Sequence, residues 1–261
     1  MADREVVPAG LLVSVERSGG LVLGAYDGEK DSARLVGCLV DLAAHYQGHP
    51  AQLTLQHLVH KEARNRGIGH ALRVREREEC RRQGVGVVTW GVDPLRSVEA
   101  HFAFTKLRAI GVAYERATQG ERAEPGRRSL AGDRVAVEWW VESPRVCAFL
   151  DRATPPRHLR VGLDRMDVVT KTTLTESGLR RLVGFTAQPR SDLALVEIPT
   201  DLDALWQIDP DLACDWRLKT RECFETLILA GYVVSGFVHE AGRSFHLLEH
   251  APRDAFLKRA F

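Results

Sequence analysis

The sequence lacks the features that would place it outside the cell or in a membrane. Its five cysteines are widely separated and include no Cys-x-x-Cys pair, so neither a disulfide framework nor a zinc site is predicted. No apolar run approaches the roughly 20 residues of a membrane-spanning helix, and the charged N-terminus does not resemble a signal peptide. These absences predict a cytoplasmic protein with free thiols and no bound metal.

A strong charge of one sign is also missing. The 261 residues include 36 Lys plus Arg and 35 Asp plus Glu, for a formal net charge of +1. Such a balance provides no general electrostatic attraction for nucleic acid. The chain is long enough to bury a sizeable core as one large domain or two small ones. Neither nucleic acid nor a membrane is therefore expected as a partner.

A glycine turn between a predicted strand and a predicted helix is the most informative segment present. The strand covers Leu53 to Val59, the helix covers Ala71 to Gln83, and Arg64-Asn65-Arg66-Gly67-Ile68-Gly69 joins them. The first amide N–H groups of a helix have no partner inside it. Together with the positive end of the helix dipole, they bind phosphate without a side chain. The two glycines allow the main chain to approach an anion closely.

Two better-known phosphate motifs do not fit this turn. Leu72 replaces the third glycine of a Rossmann fingerprint, and the Gly-Lys-Ser/Thr of a phosphate loop is absent. A Gly-x-Gly turn before a helix also occurs as a plain packing turn. The residues of the turn alone leave that alternative open.

Further elements follow the turn in the order strand, helix, strand, strand. They are predicted at Gly84 to Val92, Arg96 to Leu107, Val112 to Tyr114 and Val135 to Val141. With the turn, this order resembles the core of the GNAT acyltransferases. Several phrases more narrowly resemble a bacterial subfamily of predicted acetyltransferases, which includes N-succinyltransferases paired with N-acylamino-acid racemases. These phrases are Gly20 to Asp27, Trp90 with Asp93-Pro94-Leu95, Asp133-Arg134, and Trp216-Arg217-Leu218 with Thr220-Arg221-Glu222 and Phe224.

The resemblance implies an α/β fold of the α+β kind, in which helices flank a GNAT-type mixed central sheet. Residues 1–142 would form the acyl-CoA-binding domain. Residues 143–192 would be an irregular connection containing the helix breakers Pro144, Pro155-Pro156 and Pro189. Residues 193–261 would add a smaller β-α-β-β unit.

The start of the chain departs from the family pattern. Pro8 to Ser18 predicts a helix, and Leu21 to Asp27 with Leu35 to Val40 predicts a hairpin across Gly28-Glu29-Lys30-Asp31. The resemblance implies that the family's first strand and helix are missing from this sequence, so either the true start lies upstream or the edge of the first full strand would be unpaired. We expect a homodimer, or a substitute strand from the same chain, to cover that edge.

The resemblance also implies a cofactor and an activity. Acyl-CoA would be the co-substrate, with acetyl-CoA typical of the superfamily and succinyl-CoA typical of the subfamily. The acceptor would be the amine of a small molecule such as an amino acid. The backbone N–H of His57 would face the thioester carbonyl. The residues that would bind CoA are Val59, His60, Lys61, Arg64, Arg66, Gly67, Ile68, Gly69 and His70.

The general base is less defined. Many GNAT enzymes carry a glutamate where this chain has Leu53, and their usual tyrosine acid aligns with Phe104. His57, His60 and Glu99 are the candidate catalytic side chains. Each has an ordinary alternative, because a strand histidine is often half-buried and a helix glutamate is often solvated. The changed positions also fit a second hypothesis, a non-catalytic CoA-binding or regulatory protein.

Two groups of charged residues have simpler interpretations. Arg73 to Arg82, with Glu76, Glu78 and Glu79, predicts a solvated helix face with charge pairs one turn apart. Arg217 and Arg221 also lie one turn apart, so they would either clamp a ligand carboxylate or form structural ion pairs.

Overall fold

The computed structural model describes residues 7–29, 32–117, 132–151 and 166–258. The chain divides into two compact units, which we call unit 1 and unit 2. Unit 1 is Met1–Trp90 with Trp140–Glu142, and unit 2 is Gly91–Trp139 with Ser143–Phe261. These limits differ from the predicted segments 1–142, 143–192 and 193–261, and that division stays a prediction.

Unit 1 is built on a mixed sheet in the order β1-β2-β3-β4. The first three strands are antiparallel, and β3 and β4 are parallel. Its elements are α1 (Ala9–Arg17), β1 (Leu21–Asp27), β2 (Arg34–Tyr46), β3 (His49–Val59), a 3-10 turn (Lys61–Ala63), α2 (Ile68–Gln83) and β4 (Val87–Val92), whose last two residues belong to unit 2.

The hairpin of β2 and β3 is longer than the sequence predicted. Its two-residue turn is Gln47 and Gly48, with φ of 50° and 83°, as a tight hairpin turn requires. The predicted range of β2 was Leu35 to Val40, and the predicted range of β3 began at Leu53. Both strands therefore extend closer to the turn than predicted. Polar residues near the turn interrupt the apolar pattern, so the sequence did not indicate where these strands end and begin.

Helix α2 packs directly on β2 through a close approach at Gly37. A side-chain carbon at Gly37 would lie 3.1 Å from Ile68 Cγ2 and 3.3 Å from Leu72 Cδ1. Leu72 and Cys80 on the same helix are buried. At its other end, Gly84 terminates the helix with φ of 71°, a backbone conformation that glycine adopts easily. This packing fixes the helix N-terminus over the end of β3.

In unit 2 the sheet strands follow the order β6-β5-β11-β12-β10-β7, and β8 and β9 form a separate hairpin. Its strands are β5 (Ile110–Glu115), β6 (Arg134–Trp140), β7 (Asp167–Val168), β8 (Thr170–Leu174), β9 (Arg180–Phe185), β10 (Leu193–Ile198), β11 (Tyr232–Glu240) and β12 (Arg243–His250). Its helices are α3 (Ser97–Ala100) with a π-turn (His101–Lys106), α4 (Pro144–Leu150), α5 (Leu202–Ile208), α6 (Pro210–Leu229) and α7 (Arg253–Lys258). The last residue of β6, Trp140, belongs to unit 1.

The predicted fold class is confirmed, since helices flank a mixed sheet in this α/β chain. The long helix of the C-terminal segment, α6, begins with a side-chain cap. Asp209 Oδ1 accepts a hydrogen bond from Leu212 N at 2.9 Å, and Pro210 occupies the first helical position. The structure adds α5 before this helix, and it replaces much of the predicted helix Arg96 to Leu107 by the π-turn.

Some predictions fall outside the described residues, namely the tip of the first hairpin at 30–31 and Pro155-Pro156 in the connecting segment. All five cysteines are free thiols. Within the described ranges, none of the helices has the length and apolarity needed to cross a bilayer. Over those same ranges, no cluster of three or more His, Cys, Asp or Glu is placed to hold a metal ion.

Candidate functional site

Strands β3 and β4 are paired over only part of their length and separate beyond Leu53 and Thr89. Their described register pairs are Ala51 with Val87, Gln52 with Val88 and Leu53 with Thr89. Strand β3 continues to Val59 while remaining paired with β2 on its other side. The pairing with β2 shifts register between Thr54 and Gln56, so Leu55 forms a bulge at the point of separation. We call the space beside Thr54 to Val59 the crevice.

The backbone of β3 presents alternate amide groups to the crevice. His60 N donates to Val36 O of β2 at 2.8 Å. Because successive residues of a strand direct their N–H groups to opposite edges, the N–H groups of Val59 and His57 are directed toward the crevice. A ligand lying there would therefore meet main-chain donors and acceptors, as an added strand would.

The glycine turn lies at the open end of this crevice and enters α2. Asn65 and Gly67 have φ of 61° and 81°, which places the chain in the left-handed region. The first helical hydrogen bond is from Ala71 N to Gly67 O at 2.9 Å. Among the described backbone carbonyls, none accepts from the N–H of Gly67, Ile68 or Gly69. A side-chain carbon added to Gly67 would meet nothing within 4 Å, so an anion can reach this turn.

Several cations surround the turn. Arg66 Nη1 contacts Asp27 Oδ2 at 2.8 Å, and both side chains are about half exposed. Arg64 is exposed, and its Nε donates to Val59 O at 3.3 Å. Lys61 lies in the 3-10 turn between β3 and the glycine turn. The positive charge adds to the helix dipole in favouring a phosphate group here.

The His57 ring joins β3 to the turn. Its Nε2 donates to Gly69 O at 3.1 Å, since a carbonyl oxygen can only accept. Burial and the neighbouring Arg73 lower its pKa to about 4. The imidazole is therefore neutral near pH 7, and its side chain positions the turn. The predicted main-chain role of His57 does not depend on this ring.

His60 is placed differently from His57. It follows the last residue of β3, and its ring lies 3.3 Å from Arg34 Nη2 and 3.8 Å from Glu62 Oε2. The residue is exposed. The remaining predicted CoA-binding residues, Ile68 and His70, form the first turn of α2 and are partly exposed.

The prediction of a solvated face on α2 is wrong for four of its charged residues, since Arg73, Glu76, Arg77 and Glu79 are all buried. The side chains of Arg73 and Glu76 are 2% and 0% exposed. Arg73 Nη1 donates to both carboxyl oxygens of Glu76 at 2.9 Å and to Thr54 Oγ1 at 2.9 Å. The Arg73 guanidinium carbon also lies 4.2 Å from the centre of the Trp90 ring, a cation–π contact. Sheet residues thus supply the partners that make this burial favourable.

A second buried carboxyl faces this group from β2. Asp41 is 0% exposed, and its carboxyl lies close to Glu76, Arg73 and Thr54. Burial raises the pKa of both the Asp41 and the Glu76 carboxyl, and the charge of Asp41 further raises that of Glu76, while Arg73 opposes both shifts. Two carboxylates in contact require a shared proton. With one proton between them, the pair carries one negative charge, which balances Arg73.

Glu99 lies in α3 of unit 2, and its side chain is 47% exposed. Its Oε2 accepts from Asp93 N at 3.2 Å. Desolvation raises the pKa of the Glu99 carboxyl, and this hydrogen bond opposes the shift. A raised pKa is the direction that suits a carboxylate acting as a general base.

Arg217 and Arg221 form structural ion pairs. Arg217 Nη2 lies 2.8 Å from Asp93 Oδ1 and 2.9 Å from Asp93 Oδ2. Arg221 donates to both oxygens of Asp133 at 2.8 and 3.1 Å, and Tyr114 donates to the same carboxylate at 2.8 Å. Of the two predicted alternatives, the structure shows the ion pairs.

No family model matches the chain, and no curated protein matches it by sequence. Similar solved structures include GNAT-family acetyltransferases. An IAA acetyltransferase from Bacillus cereus is 16% identical, with a TM-score of 0.38, over 51% of this chain and 92% of that one. A GNAT family acetyltransferase from Elizabethkingia anophelis with acetyl-CoA bound is 12% identical, with a TM-score of 0.40, over 54% and 94%.

Proposed function

We propose that this protein is an acyl-CoA-dependent N-acyltransferase. The observation that carries the proposal is the combination of the crevice with the glycine turn. Two parallel strands separate beside a helix N-terminus whose first amides have no described backbone acceptor. A diphosphate suits the turn, and the extended pantetheine arm suits the β3 edge, where it replaces the missing strand pairing.

The chemistry needs few side chains. With the diphosphate at Gly67, the pantetheine arm runs along β3 from Val59 toward Thr54. The N–H of His57 then polarises the thioester carbonyl and stabilises the oxyanion that forms as an amine attacks. Holding the amine against the thioester removes much of the entropic cost of their encounter. The tetrahedral intermediate collapses to an amide and releases the CoA thiol, and the ammonium proton passes to a base.

The identities of the acceptor and the acyl group are part of the proposal. The sequence phrases favour a small amine, such as an amino acid, with acetyl-CoA or succinyl-CoA as donor. Of the three candidate bases, the His57 ring is the weakest, since its pKa is lowered to about 4. Glu99 has the raised pKa expected of a base.

A non-catalytic CoA-binding protein is the second candidate. It is favoured by Leu53 and Phe104, which stand where the family's usual base and acid are expected. Release of free thiol from acetyl-CoA and succinyl-CoA, measured across a panel of amino acids and other small amines, separates the two. Turnover with any amine supports the enzyme. Tight CoA binding without thiol release on every amine would favour the second candidate.

A further inference from the structure

The turn that follows strand β4 is held by two buried side chains from distant parts of unit 2. The turn is Asp93-Pro94-Leu95, and all three of its residues are buried. Arg217 of α6 contacts both carboxyl oxygens of Asp93, at 2.8 and 2.9 Å. His246 of β12 donates from Nε2 to Pro94 O at 2.7 Å, since a carbonyl oxygen can only accept. The partners are 124 and 152 residues apart in the chain, so only the folded unit brings them together.

This turn places the carboxylate of Glu99. The N–H group of Asp93 donates to Glu99 Oε2 at 3.2 Å, and the carbonyl of Asp93 accepts from Arg96 N at 3.0 Å. The Asp93 side chain shapes the turn, because its Oδ1 also accepts from Leu95 N at 3.0 Å. Helix α3 has only four residues, so its own hydrogen bonds do little to hold Glu99 in place. The position of Glu99 therefore depends on the turn.

His246 is fully buried among three phenylalanine rings. The ring centroids of Phe104, Phe224 and Phe237 lie 5.7, 5.1 and 5.7 Å from that of His246. Burial lowers the pKa of His246 to about 4, although its hydrogen bond to a backbone carbonyl opposes the shift. The imidazole is therefore neutral above about pH 5, and its one ring proton is on Nε2. The hydrogen bond to Pro94 does not titrate in the pH range in which a general base acts.

We propose that His246 and Arg217 position the carboxylate of Glu99 by holding the turn that donates to it. This inference rests on the proposed function, in which Glu99 accepts the amine proton. It gives the predicted C-terminal segment, residues 193–261, a part in the chemistry. Loss of either contact leaves a buried polar group of the turn without its partner, and the turn must move to reach water. Glu99 then moves with it.

The groups around Glu99 make its titration a measure of this placement. Desolvation raises the pKa of its carboxyl, and the hydrogen bond from the Asp93 N–H lowers it. The charge of Asp93 raises the pKa, and the charges of Arg134 and Arg96 lower it. When the turn loosens, Glu99 gains water and each of these influences weakens. Its pKa should then fall toward the ordinary glutamate value.

Carbon-13 NMR titration of the Glu99 carboxyl in the full chain tests the proposal without an acceptor amine. The signal is identified by its loss in Glu99→Gln. His246→Phe keeps a ring among the phenylalanines but removes the donor, and His246→Gln can donate from the position of Nε2. His250→Phe is the matched control, because His250 is on the same strand but its side chain is 50% exposed.

Arg217→Lys is the second variant if circular dichroism shows that His246→Phe does not fold. Lysine keeps the positive charge beside Asp93 but lacks the planar fork that contacts both carboxyl oxygens. The turn should therefore loosen while the buried charge of Asp93 remains paired.

In the wild type and His250→Phe, Glu99 should titrate above the ordinary glutamate value. His246→Phe and Arg217→Lys should lower its pKa toward that value, and His246→Gln should restore much of the shift. With acetyl-CoA and the best amine, His246→Phe should lower kcat by about 10- to 100-fold, as misplacement of a reacting group does, with little change in the KM for acetyl-CoA.

An unchanged Glu99 titration in folded His246→Phe or in Arg217→Lys would overturn the proposal. So would an equal shift in His250→Phe. Absence of thiol release by the wild type would instead contradict the proposed function, because the NMR titration reports the placement of Glu99 without turnover.

Discussion

At the residue scale, the buried carboxyl pair of Asp41 and Glu76 couples the stability of the fold to pH. Both side chains are fully buried, and the contact between them holds a proton that the unfolded chain would release near pH 4 to 5. The folded state therefore binds more protons than the unfolded state above that range. Its free energy of unfolding must fall as the pH rises toward the raised pKa of the pair.

Glu76→Gln should remove this pH dependence. The amide can donate a hydrogen bond to Asp41 without a titrating proton, so stability should become flatter between pH 5 and the raised pKa. Urea unfolding at a series of pH values measures the effect. Glu78→Gln is the control, because Glu78 is exposed and pairs with Arg75 on the outer side of α2. Parallel stability profiles for the wild type and Glu76→Gln would contradict the shared proton.

Glu99→Gln tests the base at the same scale. If Glu99 accepts the amine proton, the variant should lose about 10² to 10⁴ in kcat with the best amine. In the wild type, the acidic limb of kcat/KM should lie above the ordinary glutamate value, because desolvation raises the pKa of Glu99. The base must be deprotonated, so activity rises with pH through that limb. Unchanged turnover and an unchanged limb in Glu99→Gln would rule out this role.

At the element scale, the close packing of α2 on β2 positions the glycine turn. Gly37→Ala would place a carbon 3.1 Å from Ile68 Cγ2 and 3.2 Å from Leu58 O, and the backbone oxygen cannot move aside easily. We expect a loss of about 1 to 3 kcal/mol in the free energy of unfolding. Gly184→Ala, in β9 with nothing within 4 Å of the added carbon, should change it little. Equal denaturation midpoints for the two variants would contradict the packing.

The sequence predicted the elements of the candidate site well, because their signals are local. Apolar runs, the two glycines and the helix that follows them indicate a strand, a turn and a helix without reference to the rest of the chain. The ends of β2 and β3 were missed, since Asp41 and Gln52 are polar yet fully buried. Their burial depends on partners far along the chain, such as Gln83 for Gln52.

The buried charges of α2 could not be predicted from their spacing. Arg73 with Glu76 and Arg75 with Glu78 have the same separation in sequence, but the first pair is buried and the second is exposed. Only their angular positions relative to the sheet distinguish them. One signal in the sequence did indicate their burial. Arg73 and Glu76 lie on the same side of the helix as Leu72 and Cys80, which are buried. The register of the crevice likewise depended on the bulge at Leu55, which no local pattern indicated.

At the scale of the whole molecule, the homodimer stays a prediction. The structural reason to expect it is the edge of strand β1. Within the described part of unit 1, β1 is the edge strand of the sheet. Val22 and Tyr26 on this strand are 37% and 66% exposed. Unpaired edges with exposed apolar residues favour association.

Light scattering after size exclusion should therefore give twice the chain mass of 29.1 kDa. Val22→Lys should shift the protein toward the monomer, because a lysine on an edge strand opposes strand pairing. Glu78→Gln on the exposed side of α2 serves as the control and should leave the mass unchanged. A wild-type mass of 29.1 kDa at micromolar concentration would contradict the dimer.

The most direct test of the account is calorimetric titration of CoA into the wild type, Gly67→Leu and Gly48→Leu. Both glycines have φ near +80° and open space around the added carbon, so both variants carry similar backbone strain. Only Gly67 lies in the proposed diphosphate site. The account predicts that the wild type and Gly48→Leu bind CoA alike and that Gly67→Leu binds at least tenfold more weakly. Absence of CoA binding by the wild type, or equal binding by all three proteins, would contradict it.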